Sequence, residues 1–209
     1  MATKKRYFVN DSYYHIFNRG VEKRKVFLKD RDLERFLETI EHCLSDSNRL
    51  TRKLMKKNSK LFEAPVGVIA FCLMPNHFHL LLKQNTNSGI TTFLSRLSNS
   101  YTKYFNTKYD RVGPLFQGAF RSVPIESEEQ LLHLSRYIHL NPIVVGLSKA
   151  PEDYRWSSIG SYITKSSGSF VNPEAVLGQF GSKEAYLQFV NDQIDYAKSL
   201  EELKHLHLD

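Results

Sequence analysis

Residues 66–83 read VGVIAFCLMPNHFHLLLK, and the way this stretch changes its pattern decides the fold. Val66–Met74 is apolar at nearly every position, as expected of a strand covered on both faces or paired centrally in a sheet. Pro75 interrupts the run, because proline has no backbone N–H for a ladder. From residue 77 the sequence alternates, with His77, His79 and Leu81 on one side and Phe78, Leu80 and Leu82 on the other. This predicts two strands joined by a tight Pro-Asn connection.

The neighbouring segments extend the pattern. Tyr13–Arg19 alternates as a strand, placing Tyr13, His15, Phe17 and Arg19 on one face, and Gly20 ends it. From Asp30, read as an N-cap, the residues Leu33, Phe36, Leu37, Ile40 and Leu44 recur at helical spacing. A second helix is predicted over residues 90–105, on Ile90, Phe93, Leu94, Leu97, Tyr101, Tyr104 and Phe105. Gly113, Pro114 and Gly118 punctuate the following loop, and residues 119–125 read as a short strand. Glu128 opens another helix with Leu131, Leu134 and Ile138 as its stripe. Asn141-Pro142 is expected to end it, because a residue before proline avoids the helical region. Strand, helix, two strands, helix, strand, helix predicts an α+β sandwich, an antiparallel sheet with packed helices. Residues 164–168 (TKSSG) read as a linker, dividing a body over residues 1–165 from an acidic tail over 166–209, in which Tyr186, Phe189, Val190 and Ile194 suggest a docking helix.

Length and composition agree with a body of this size. The 209 residues are 41% hydrophobic and 24% charged, which supports a real core and argues against a disordered or fibrous chain. The longest apolar stretch is Val66–Met74, too short to cross a bilayer, and MATKKRYFVN lacks a secretory apolar segment, so a soluble, intracellular protein is expected. Two cysteines, Cys43 and Cys72, are too few for a disulfide framework or a four-cysteine zinc site. The formal charge is +7, and it is uneven: from Val171 onward there are three Lys/Arg against seven Asp/Glu, so the first 170 residues carry +11. A basic body with 11 Tyr and 14 Phe interleaved favours a nucleic-acid partner, because cations pair with phosphates and rings stack on unpaired bases. The cluster Arg49, Arg52, Lys53, Lys56, Lys57 and Lys60 reads first as a solvated surface.

Chemistry concentrates at two places. In Pro75-Asn76-His77-Phe78-His79 a strand rise of about 3.3 Å per residue puts both imidazoles on one face, roughly 7 Å apart at Cα, within reach of one metal ion. The same spacing equally describes two satisfied sheet histidines. Tyr137 and Asn141 lie four residues apart on a helix, about 6 Å along its axis, and project from the same side toward the sheet. A helix-edge tyrosine also commonly packs its ring and leaves its hydroxyl in water. Tyr101 and Tyr104 coincide with an apolar stripe and read as packing, and His15, His133 and His139 read as structural or exposed. Arg19, Lys103, Lys108, Arg111 and Arg121 are candidate phosphate contacts.

The chain resembles the single-tyrosine HUH transposases, and most closely their REP-associated tyrosine transposase branch. The matching blocks are YHIFNRG at 14–20, LMPNHFHLL at 73–81, GPLFQG at 113–118 and SRYIHLNP at 135–142, in the family's order, within residues 13–162. The resemblance implies a ferredoxin-like HUH sandwich and a catalytic divalent ion, Mg2+ or Mn2+, bound by His77, His79 and Asn141. It implies Tyr137 as the nucleophile that nicks single-stranded or hairpin DNA through a 5′ phosphotyrosine. It also implies a cytoplasmic, nucleoid-associated bacterial protein with no membrane partner. Relatives include homodimers that exchange the tyrosine helix and forms that act alone. Two rival readings stay open: a hairpin-binding module without turnover, and a metal nuclease that uses water.

Overall fold

The structure is a computed structural model that describes residues 7–45, 64–164 and 170–206. Its centre is a four-stranded sheet of β1 (Tyr13–Arg19), β2 (Val66–Met74), β3 (His77–Gln84) and β4 (Arg121–Ile125), in the order β2-β3-β1-β4, with every pair antiparallel. Helix α1 (Asp30–Ser45) connects β1 to β2, and α2 (Gly89–Lys108) connects β3 to β4. Helix α3 (Glu128–Val144) follows β4. Among the described residues the further α-helices are α4 (Ile159–Ile163), α5 (Glu174–Leu177), α6 (Lys183–Asn191) and α7 (Ile194–Leu206). This is the expected antiparallel α+β sandwich. The basic stretch 49–60 and most of the TKSSG segment lie outside the described residues.

Alternation along β1 and β3 divides the work between the sheet's faces. Residues directly opposite each other in a ladder share a face, and the register pairs Arg19 with His77, Phe17 with His79 and His15 with Leu81. The other face carries Phe78, whose ring meets Phe36 of α1 at 5.2 Å and Phe116 at 5.6 Å between centroids. Tyr101 of α2 closes this aromatic core, 5.0 Å from Phe36, with its hydroxyl donating to Val26 O at 2.6 Å. Helices α1 and α2 therefore cover the Phe78 face, and α3 covers the histidine face. A register shift between Val68 and Ala70 leaves Ile69 O to accept from the Tyr162 hydroxyl at 3.0 Å. The outer edge of β2 is also capped, by Leu73 N–H on Trp156 O (2.9 Å) and by Asn172 N–H on Val68 O (2.8 Å).

Two helix ends differ from the sequence reading. Asp30 is the first helical residue of α1, and Asp32 does the capping: its Oδ2 accepts from the backbone N–H groups of Leu28 (2.9 Å) and Lys29 (3.0 Å). Helix α3 does not stop at Asn141-Pro142, for Pro142 lies inside it and the helix runs on to Val144. It ends at Gly146, which takes φ 71° and lets Gly146 N–H bond Ile143 O (3.0 Å) and Leu147 N–H bond Pro142 O (2.8 Å). That left-handed cap closes the last turn beyond the proline, so the restriction on the preceding residue does not win here.

The C-terminal helices share their core with α3. His139 is fully buried. Its Nδ1 lies 2.7 Å from the Tyr186 hydroxyl, and its Nε2 lies 2.8 Å from Ser158 Oγ. Tyr186 donates in turn to Ser135 Oγ (3.2 Å), and Ser135 Oγ donates to Leu132 O (2.8 Å). Burial holds the His139 imidazole neutral, down to about 3, so one ring nitrogen donates and the other accepts within this buried network. Tyr186→Phe leaves the buried His139 Nδ1 without its hydrogen-bond partner and is expected to cost about 1–3 kcal/mol, measured by urea unfolding. Among the described residues no helix is long and apolar enough to cross a membrane.

Candidate active site

Strand β3 delivers His77 and His79 to the α3 face, and α3 lays Tyr137 across them. The Tyr137 ring stands edge-on to His79 at 5.5 Å between centroids and to His15 at 6.2 Å, while His77 and His79 are 4.9 Å apart at 86°. Tyr137 is 48% exposed, whereas His79 is only 6% exposed.

The imidazoles are neutral at physiological pH. Burial pushes His15 and His77 down to about 4, with the Arg19 charge adding to the effect on His77. Burial, then the charges of His77 and His15, pushes His79 well below 6.5. The ring hydrogen bonds show which nitrogens remain free. His77 Nδ1 lies 2.6 Å from Asn76 Oδ1, and the amide is oriented by Asn76 Nδ2 donating to Lys23 O at 3.2 Å. An amide oxygen can only accept, so His77 Nδ1 donates and Nε2 keeps its lone pair. His79 Nδ1 lies 2.9 Å from His15 Nε2, so the His79 ring nitrogen outside this bond is Nε2.

Two cavities meet at Tyr137 and His77. One, of about 460 Å³, also includes His79 and is lined by the cations Arg19, Lys23 and Arg121 together with Gln117. Arg19 Nε donates to Gln117 Oε1 at 2.6 Å, and Gln117 N–H bonds Arg19 O at 2.8 Å, so the glycine-bounded loop is fastened to the end of β1. The other, of about 380 Å³, lies between α3 and α7 and includes Asn141, Arg136, Tyr196 and Leu200. Because α3 continues past Pro142, Asn141 stays one turn after Tyr137. Its Nδ2 donates to Tyr137 O (2.8 Å), leaving Oδ1 as the atom it can offer an ion.

The predicted residues fall into two groups. His77, His79, Tyr137, Arg19 and Arg121 share the first cavity, and Asn141 joins His77 and Tyr137 in the second. Lys103, Lys108 and Arg111 are not brought there. Lys103 and Lys108 lie on α2, in the layer across the sheet; Lys108 Nζ is 2.6 Å from Asp32 Oδ1, and Arg111 Nη1 is 3.0 Å from Asn106 Oδ1. Tyr104 donates to Asp32 at 2.9 Å, consistent with its reading as packing. Sequence reasoning set His15 aside as structural or exposed, although it meets both Tyr137 and His79. The alternation of β1 placed it on the face of Arg19, but only the pairing of β1 with β3 reveals its neighbour.

A ferredoxin-like sheet holding a His-hydrophobic-His strand beneath a helix tyrosine is the arrangement of an HUH tyrosine transposase. A family model described as "Transposase IS200 like" matches residues 8–141, and the chain belongs to that IS200-like transposase family. The structure of a REP-associated tyrosine transposase bound to a REP hairpin shares the fold, with a TM-score of 0.53 and 17% identity over 84% of this chain and 97% of that one. Two fainter likenesses carry no argument. One is to a Deinococcus radiodurans protein provisionally described as a transposase (TM-score 0.38, 17% identity, 66% of this chain and 95% of that one). The other is to a tRNA(His) guanylyltransferase of Saccharomyces cerevisiae (0.35, 12%, 94% and 82%). No curated protein matches the chain.

Proposed function

We propose that this chain is a metal-dependent strand-transferase that nicks single-stranded DNA at REP-type hairpins through a 5′ phosphotyrosine on Tyr137. The observation that carries the reading is the convergence of Tyr137, His77 and His79 on one cation-lined cavity, with the phenol edge-on to His79. In the reaction the Tyr137 oxygen bonds to phosphorus, the bond from phosphorus to the 3′ oxygen breaks, and that oxygen leaves as a 3′-OH after taking a proton. The phosphodiester is exchanged rather than hydrolysed. A second 3′-OH can therefore reverse the step without ATP.

The residues fit a divalent ion. The two neutral imidazoles and one amide oxygen make a mixed N/O donor set that leaves positions for phosphate and water; histidines alone would also suit zinc, and it is the resemblance to the HUH transposases that points to Mg2+ or Mn2+. His77, His79 and Asn141 would hold the ion, which when bound polarises the scissile phosphate and stabilises charge on the departing oxygen. Since burial keeps His77 neutral to about pH 4, protons do not compete for it near neutrality.

The hairpin substrate is supported by the four sequence blocks and the shared fold. Arg19, Lys23 and Arg121 then follow the phosphate backbone beside the nucleophile. For single strands each phosphate contact contributes roughly 0.7 to the slope of log K against log salt, so Arg19→Ala with Arg121→Ala is expected to reduce that slope by about 1.4. Lys103→Ala, across the sheet, is expected to leave it unchanged. Fluorescence anisotropy over a salt series checks both.

A labelled REP hairpin oligonucleotide incubated with Mn2+ tests the reaction. The expected result is a denaturant-resistant protein–DNA adduct that EDTA abolishes. Cleavage without an adduct would favour water as the nucleophile, and tight binding without cleavage would favour a hairpin-binding module; either overturns the strand-transfer reading.

A further inference from the structure

We infer that His15 is a positioning residue for the metal site: it accepts the Nδ1–H hydrogen bond of His79 and so fixes the tautomer in which His79 Nε2 can ligate the ion. This rests on the metal-dependent reading above. The two ring nitrogens are 2.9 Å apart, and the rings lie nearly parallel, 20° between planes and 5.1 Å between centroids. A hydrogen bond between two neutral imidazoles has one donor and one acceptor, so only two arrangements exist. If His15 donates, His79 accepts at Nδ1 and carries its own proton on Nε2, and no lone pair is left for an ion. If His79 donates, Nε2 is free. The acceptor role of His15 is thus the condition for His79 to act as a ligand.

The surroundings hold His15 in that role. It lies two residues along the ladder from the position opposite His79, because His15 pairs with Leu81 and Phe17 pairs with His79. The Phe17 ring contacts both, at 4.9 Å from His15 and 5.9 Å from His79, and Tyr137 stands edge-on to both from α3. Rotating His15 away would forfeit these contacts together with its hydrogen bond. Asn76 Oδ1 performs the same service for His77, so both histidines are oriented through Nδ1 by a neutral acceptor. Neutral partners add no negative charge to the site. The incoming phosphate is then the principal counter-charge to the ion, and the ion is expected to bind more tightly with DNA than without it.

The test is Mn2+ binding to the full chain by isothermal titration calorimetry, with His15→Phe and His15→Gln beside the wild type. His15→Phe retains a ring but cannot accept, and it is expected to weaken Mn2+ binding about 10–100-fold, the usual effect of removing an orienting partner. His15→Gln offers an amide oxygen to His79 Nδ1–H and is expected to recover most of the affinity. Thermal unfolding in EDTA reports whether each variant is folded. Imidazole 15N spectra of the wild type need no variant, and they are expected to show His79 protonated at Nδ1 and unprotonated at Nε2. Wild-type affinity in His15→Phe, or a Gln variant as weak as the Phe variant, would overturn the inference and leave the metal site standing, whereas a proton on His79 Nε2 would overturn the inference and remove His79 Nε2 as a ligand. A wild type that takes up no Mn2+, alone or with hairpin DNA, would overturn both.

Discussion

Tyr137→Phe is expected to abolish the covalent protein–DNA adduct and to lower strand cleavage by roughly 10⁴–10⁶-fold, the range that removal of an enzyme nucleophile costs. The substitution deletes one oxygen and keeps the ring that stands edge-on to His79 and His15. Because the residue is half-exposed, the change in stability is expected to stay within about 0.5 kcal/mol. The cations Arg19, Lys23 and Arg121 are untouched, so hairpin affinity is expected to match the wild type. Gel electrophoresis under denaturing conditions with labelled hairpin reads the adduct, and anisotropy reads the binding. Persistence of the adduct would move the nucleophile to another tyrosine. Tyr101 and Tyr104 are poor substitutes, since Tyr101 is fully buried on Val26 O and Tyr104 is engaged with Asp32. Cleavage that persisted without an adduct would instead identify water as the attacking group.

How the site is assembled explains which parts could be read from the chain alone. The hairpin of β2 and β3 was legible because an apolar run, a proline and a strict alternation are local signals, and the alternation itself aimed His77 and His79 the same way. The spacing of Tyr137 and Asn141 was legible for the same reason, as a property of one helix. What failed was competition between local rules. Asn141-Pro142 reads as a stop, but Gly146 supplies a left-handed cap one turn later and the helix continues to it. Asp30 reads as a cap, but Asp32 reaches back to the N–H groups of Leu28 and Lys29. His15 could not be assigned from β1, since its partner is 64 residues away and only the β1–β3 register brings the rings together. Lys108 looked like one more cation on a basic helix, yet it is engaged by a carboxylate that the sequence marks only as part of α1.

That carboxylate carries the largest expected effect on stability. Asp32 is fully buried, and it accepts from Lys108 Nζ (2.6 Å) and Tyr104 (2.9 Å) on Oδ1, and from Tyr109 (2.7 Å) and the N–H groups of Leu28 and Lys29 on Oδ2. Burial by itself would raise its pKa, but the hydrogen bonds, led by those of Lys108 and Tyr109, outweigh burial and hold it at about 2. Asp32→Ala strands these donors at the junction of α1 and α2 and is expected to cost about 3–5 kcal/mol in urea unfolding. The pH dependence follows from the sign of the shift. The folded state holds the proton less tightly than the unfolded chain, whose carboxyl has the ordinary value near 3.8. The Asp32 contribution is therefore complete above that value and is lost as pH falls toward 2. The buried His15, His77 and His139 begin to act at higher pH: their folded pKa values lie below 6.5, so they weaken the fold as pH falls from about 6.5 toward 4 for His15 and His77 and toward 3 for His139. Wild type and Asp32→Asn share that loss, and the difference between their stability curves isolates the carboxylate. It is expected to be flat above pH 5 and to shrink below pH 4. Because Asp32 lies across the sheet from His77 and His79, the Asn variant is expected to form the Tyr137 adduct at the wild-type rate wherever it is folded. A slower adduct in a fully folded Asn variant would show that the α1–α2 layer sets the geometry of the histidine face.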